Sequence, residues 1–217
     1  MIRASPRKRA RPPAVALSVT LGLALLGDSI AYGQGASRPE DTIGARLAAD
    51  LTASGTRTEL RVYAVPRARS AALAGQVRQA LANPPGVAVI IIGANDLTNF
   101  VPPETAAAQL GEGIRTLRAA GVQVVVVPAP DLSAVPWVPP QLRALVRAGC
   151  AALQRSQTRV ALAAAASVVD VHAATDRFAT DASLFSRDRF HPSSAGYAVI
   201  AALLAPAVRA AAREAGA

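Results

Sequence analysis

The chain has 217 residues, 52% of them hydrophobic and 17% charged, so it can bury one sizeable core and is not a disordered polymer. Its formal net charge is +9, but Arg3, Arg7, Lys8, Arg9 and Arg11 stand in residues 1–13 with no acid, which is +5 and leaves +4 for the rest. With aromatics at 4%, the body lacks the basic stripe and stacking platforms of a nucleic-acid binder. The single cysteine, Cys150, excludes an intramolecular disulfide and a cysteine-based metal site.

Residues 1–13 read as a basic tail, and residues 14–217 as a single domain. A solvated tail is expected, with weak contact to an anionic membrane surface as the alternative. The apolar run Ala14–Leu26 has the length of a signal-peptide core. It runs directly into Gly27-Asp28-Ser29, however, and its removal would take away the strand that presents the serine. Val19–Leu26 is therefore expected as the first core strand and the protein as cytoplasmic, with export or an uncleaved anchor as the alternative.

The chain then alternates. Ala31–Asp41 is rich in glycine and polar residues and reads as a loop. Thr42–Ser54 spaces Ile43, Leu47 and Leu51 along one helix face, and Gly55 stops it. Glu59–Val65 alternates as a strand and ends at Pro66. Ser70–Leu81 is a second helix, with Leu73, Val77 and Leu81 on one face. The β-branched run Val87–Ile92 suits a strand buried on both faces. A helix runs from Pro102-Pro103 to Ala120, and Val122–Val127 is the next strand. Pro128–Pro140 reads as a proline-rich loop, and Gln141 to about Val160 as a helix. Ser167–Val171 is a short strand, His172–Pro192 a long loop, and Ser193 or Ser194 caps a last helix to about Arg213. This β-α alternation predicts a parallel sheet with helices on both faces.

Three strand ends carry polar clusters: Gly27-Asp28-Ser29, Gly93-Ala94-Asn95-Asp96, and the loop holding Asp188 and His191. In a doubly wound sheet they share one edge. Nucleophilic catalysis needs a hydroxyl, a base that takes its proton near neutral pH, and a group that fixes the base. Histidine suits the base, with an unperturbed pKa of about 6.5. Of His172 and His191, the second is the better candidate, because Asp188 can turn back onto its ring. The oxyanion formed in acyl transfer needs donors. Ser29 offers its backbone N–H, Asn95 its amide, and the turn around Arg67 a third group. Asp28 and Asp96 are expected to hold their loops. Gly27-Asp28-Ser29-Ile30-Ala31 lacks the final glycine of the G-x-S-x-G elbow.

Gly-Asp-Ser-Ile, Gly-Ala-Asn-Asp and Asp-x-x-His-Pro, in this order and each beside a predicted strand, resemble the SGNH/GDSL family of hydrolases over residues 20–213 or so. The resemblance implies a flavodoxin-like, three-layer α/β/α domain with five parallel strands. It implies Ser29 as nucleophile, His191 as base and Asp188 as its orienting acid, with Ser29 N–H and Asn95 in the oxyanion hole. It also implies a small-molecule ester as substrate, with no cofactor and no metal. One departure stands out. Where the family usually has a glycine after the second strand, this chain has Ala64-Val65-Pro66-Arg67-Ala68-Arg69, with Arg67 in the glycine's place. A glycine there serves a positive φ or a close approach, so Arg67 is expected to strain the turn or narrow the pocket. Two alternatives stand beside ester hydrolysis: a non-catalytic binding module on the same fold, and a metal-dependent phosphoesterase using Asp28, Asn95, Asp96, Asp188 and His191. The 31–41 and 128–140 loops are expected to line the pocket, with Leu132, Val135 and Trp137 as an apolar wall or Trp137 as a core residue.

Overall fold

The structure is a computed structural model that describes residues 20–216. The basic segment 1–13 and Val19, the expected start of the first strand, lie outside the described residues. Five parallel strands form one sheet in the order β2-β1-β3-β4-β5. They are β1 (Leu21–Gly27), β2 (Thr58–Val62), β3 (Val87–Ile91), β4 (Gln123–Val127) and β5 (Ser167–Val168). This is the flavodoxin-like order, which reverses beside β1 and opens a crevice at the strand C-termini.

Alternation along the strands assigns the helices to the two faces. Leu23, Leu25, Val89, Ile91 and Val125 pack on α2 (Ile43–Ala53) and α8 (Ser194–Glu214) through Leu47, Leu51, Tyr197 and Leu204. Ala24, Leu26, Ile90 and Val126 face α3 (Leu73–Leu81) and α5 (Pro103–Ala119) through Val77, Leu110 and Ile114. On the same side α6 (Arg143–Ala163) adds Ala161. Strands buried on both faces are the reason these runs are continuously apolar. Helix α8 has the length and hydropathy of a membrane span, but Tyr197, Leu204 and Val208 pack it into the core.

Two loop expectations are corrected. A short helix α1 (Ser29–Tyr32) and a 3₁₀ turn (Pro39–Asp41) interrupt the 31–41 loop. The 172–192 loop contains α7 (His172–Thr180) and a 3₁₀ turn at Ala182–Leu184. A further short helix, α4 (Ala94–Thr98), follows β3. β5 is shorter than expected, because only Ser167 and Val168 find partners, Val125 and Val126.

Candidate active site

Ser29 is the first residue of α1, two residues beyond the end of β1, and 4% exposed. Gly27 has φ 133°, and a Cβ there would lie 1.8 Å from the Ile91 carbonyl oxygen, so only glycine lets β1 leave the sheet this close to β3. Asp28 caps α1, its Oδ1 accepting from the Ile30 N–H at 3.0 Å. The buried Gln76 of α3 holds Gly27 on both sides. Gly27 N–H donates to Gln76 Oε1 at 2.7 Å, and Gln76 Nε2 donates to the Gly27 carbonyl at 2.8 Å. Gln157 of α6 does the same for the next strand ends, accepting from Ala129 N–H at 2.8 Å and donating to the Ile92 carbonyl at 3.0 Å. Replacing Gln76 by leucine leaves the buried Gly27 N–H unpaired, at about 1–3 kcal/mol, while the Gly27 carbonyl keeps the Val65 N–H at 3.1 Å. Chemical denaturation of Gln76→Leu is therefore expected to show a loss of about 1–3 kcal/mol; an unchanged midpoint would contradict the clamp.

His191 stands on a closed loop. Phe185 and Pro192 form an antiparallel bridge, and Ser186 N–H donates to the His191 carbonyl at 2.8 Å. Asp188 fills the loop. Its Oδ1 accepts from Ser186 Oγ at 2.7 Å and from the N–H groups of Phe190 and His191 at 2.9 Å each. Arg189 makes the turn with φ 57°. Asp188 Oδ2 then lies 2.6 Å from His191 Nδ1, and His191 Nε2 lies 3.0 Å from Ser29 Oγ. With Nδ1–H donating to Asp188, Nε2 carries the lone pair and accepts from the serine hydroxyl. The loop rests on Gly35, where a Cβ would stand 2.5 Å from the Pro192 carbonyl oxygen and 3.0 Å from His191 Cβ. Tyr197 OH holds that segment by donating to the Gln34 carbonyl at 2.8 Å.

Burial acts to raise the Asp188 carboxyl, but hydrogen bonds from His191, Ser186 and Phe190 outweigh it and hold the group far below the usual carboxylate range. Asp28 goes the other way. Burial pushes its carboxyl up to about 7, the charge of Asp96 adds to the rise, and the N–H groups of Ile30, Gly93 and Ala94 oppose it. Among the described residues, its Oδ2 has no hydrogen-bond partner. Because the folded value lies above the ordinary 3.8, the stability contributed by the protonated form is complete below about pH 4 and is lost as pH rises through 7.

The other two strand ends meet beside Ser29. Asp96 is fully buried and accepts from Ser70 N–H and Ser70 Oγ, tying α4 to the segment after β2. Asn95 Nδ2 donates one N–H to the Ala68 carbonyl at 3.1 Å and keeps the other. Ala68 N–H donates to the Val65 carbonyl at 3.0 Å, with Pro66 and then Arg67 between them. Arg67 has φ 68°, the left-handed conformation that a type II turn requires after its proline. The missing glycine therefore marks a position of positive φ, as expected, and the arginine bears about 1–2 kcal/mol of strain there. Among the described residues, the backbone N–H groups of Ser29 and Arg67 donate to no protein acceptor.

His172 is exposed at the start of α7, its backbone N–H bonded to Asp170 Oδ1, and has no bond to Ser29. An apolar cavity of about 90 Å³ is lined by the chain neighbours of Ser29 and His191, Ile30, Phe190 and Pro192, with Leu132, Val135 and Phe178. Leu132 and Val135 line it as expected, but the 31–41 segment does not. Trp137 is neither a cavity wall nor a core residue: it is 54% exposed and stacks on Phe190 at 5.8 Å. The residues named for a metal site have other partners: Asp28 caps α1, Asp96 binds Ser70 and Asp188 binds the His191 loop. Among the described residues no three His, Cys, Asp or Glu side chains are grouped as metal donors.

Gln76, Gln157, Ser186 and Gly35 were not legible as site residues. The glutamines left a faint signal, since both lie on the apolar faces of their helices, in step with Leu73, Val77 and Ala80 and with Leu153 and Ala161.

Residues 25–199 match the model of the GDSL-like lipase/acylhydrolase family. A GDSL-like esterase of Mycobacterium tuberculosis is 38% identical over 192 residues, covering 86% of this chain. The chain spans 61% of that relative's length. Among solved structures, LAE5, an α/β hydrolase enzyme from the metagenome of Lake Arreo, superposes with a TM-score of 0.70 at 23% identity, covering 88% of this chain and 95% of its own. The acetylxylan esterase Axe2 of Geobacillus stearothermophilus gives 0.70 at 18% identity, over 87% and 94%. At these identities the two structures speak for the fold alone.

Proposed function

Because the chain belongs to the GDSL-like lipase/acylhydrolase family, we propose that it is a carboxylic ester hydrolase working through an acyl-serine at Ser29. The observation that carries this reading is the unbroken line Ser29 Oγ, His191 Nε2, His191 Nδ1, Asp188 Oδ2, with links of 3.0 and 2.6 Å. Asp188 fixes the ring and its tautomer. His191 takes the hydroxyl proton as Ser29 Oγ attacks the ester carbonyl, and returns it to the leaving alcohol. The N–H groups of Ser29 and Arg67 and the unspent N–H of Asn95 receive the oxyanion. Water then releases the acyl group by the same steps in reverse roles.

The acyl group enters the cavity beside Ile30 and Phe190. Its walls are apolar, which suits an acyl chain. Turnover of p-nitrophenyl butyrate by the chain, lost on replacement of Ser29, tests the reading.

A further inference from the structure

Large apolar side chains gathered in water need a reason. Because the strands are parallel, their C-terminal ends share one rim, the rim that holds Ser29. Among the described residues, the exposed apolar side chains that follow strand ends include Tyr32 after β1, Val65 after β2, Phe100 after β3, and Trp137 and Leu142 after β4. Phe100 is the extreme case. It is 91% exposed and has φ 54°, a conformation that strains a bulky residue and returns no burial within the fold.

The same rim is cationic. Arg67, Arg69, Arg187 and Arg189 are exposed and, among the described residues, have no ion-pair partner. Most acids after the strand ends are engaged: Asp28 and Asp96 are buried, Asp131 pairs with Arg147, and Asp188 with His191, which leaves Asp170 after β5 exposed against the four arginines.

We infer that this rim is a docking surface for an anionic lipid bilayer. Aromatic and aliphatic points would sit at the headgroup boundary while the arginines meet negative headgroups. Tyr32, Phe100 and Trp137 offer faces for stacking, but the aliphatic Val65 and Leu142 beside them suit acyl chains and not bases, which favours lipid over nucleic acid. If Ser29 is the nucleophile proposed above, an ester anchored in the bilayer by its alcohol part reaches it from this side.

Flotation of the full chain with vesicles of equal phosphatidylcholine and phosphatidylglycerol, beside vesicles of phosphatidylcholine alone, tests the inference. Binding is expected to the anionic vesicles and to fall as salt is raised. Phe100→Asn, which suits the left-handed backbone, should weaken binding about tenfold or more and leave p-nitrophenyl acetate turnover unchanged. Arg187→Gln with Arg189→Asn should weaken binding to the anionic vesicles about tenfold or more. Ser29→Ala should bind as the parent does, so failure of the docking surface and failure of the hydrolase reading are seen separately. Three results overturn the inference: no binding to either vesicle; binding untouched by both rim variants, which assigns it to the basic segment 1–13; or a dimer that Phe100→Asn dissolves, which assigns the rim to a second copy of the chain.

Discussion

Ser29→Ala is expected to lower kcat for p-nitrophenyl butyrate by about 10⁴–10⁶-fold, the scale seen when a triad nucleophile is removed from a serine hydrolase. The residual rate is what binding and the oxyanion donors provide without a covalent route. The fold should persist. Ser29 gives up one hydrogen bond, to His191, while Gly27 remains held by Gln76 and Asp28 still caps α1. One such bond contributes about 1 kcal/mol, so thermal unfolding should move by roughly 2–4 °C at most for a chain of this size. Kinetics and melting measured on one preparation separate lost chemistry from lost structure. A variant within tenfold of the parent rate would remove Ser29 from the mechanism.

Asp188→Asn is expected to cost roughly 10³–10⁴-fold in kcat, for a different reason. Asparagine keeps an oxygen for the three donors that Oδ1 now serves, from Ser186, Phe190 and His191. It presents an NH₂ where Oδ2 faces Nδ1, and so favors the tautomer in which Nε2 carries the proton and cannot accept one from Ser29. Asp188→Ala loses the loop's bonds as well, and should add a destabilisation of about 2–4 kcal/mol that the asparagine variant largely escapes. If the asparagine variant were fully active, orientation of the ring by Asp188 would play no part. The folded carboxyl lies well below its ordinary value, so its stabilisation is present at neutral pH and is lost only as pH falls from about 4 into strong acid.

The parts of this architecture that were legible in the sequence are those encoded locally. Val87–Ile92 reads as a buried strand because six apolar residues in a row have no other economical place, and β3 follows it to within one residue. Ser29, Asp188 and His191 stand out because each sits in a short polar signature at the end of an element, and the chain has two histidines to choose between. The φ of Arg67 was legible as the conformation of a missing glycine. What escaped is encoded at long range. Gln76 meets Gly27 across 49 positions and Gln157 meets Ala129 across 28, and no local pattern says which backbone groups a buried amide will find. Helix α7 was hidden because its four-residue spacing of Ala174 and Phe178 is thinned by Thr175, Asp176 and Arg177. β5 pairs with only Val125 and Val126 of the five-residue β4, and no local pattern in Ser167–Val171 says where that pairing stops.

Reaction with a fluorophosphonate, followed by intact-mass measurement and peptide mapping, tests most directly whether Ser29 and His191 form a working nucleophile. The account predicts one adduct per chain, located on Ser29 and absent from Ser29→Ala. A chain that hydrolyses esters while Ser29 stays unmodified, or one labelled at another residue, would contradict it.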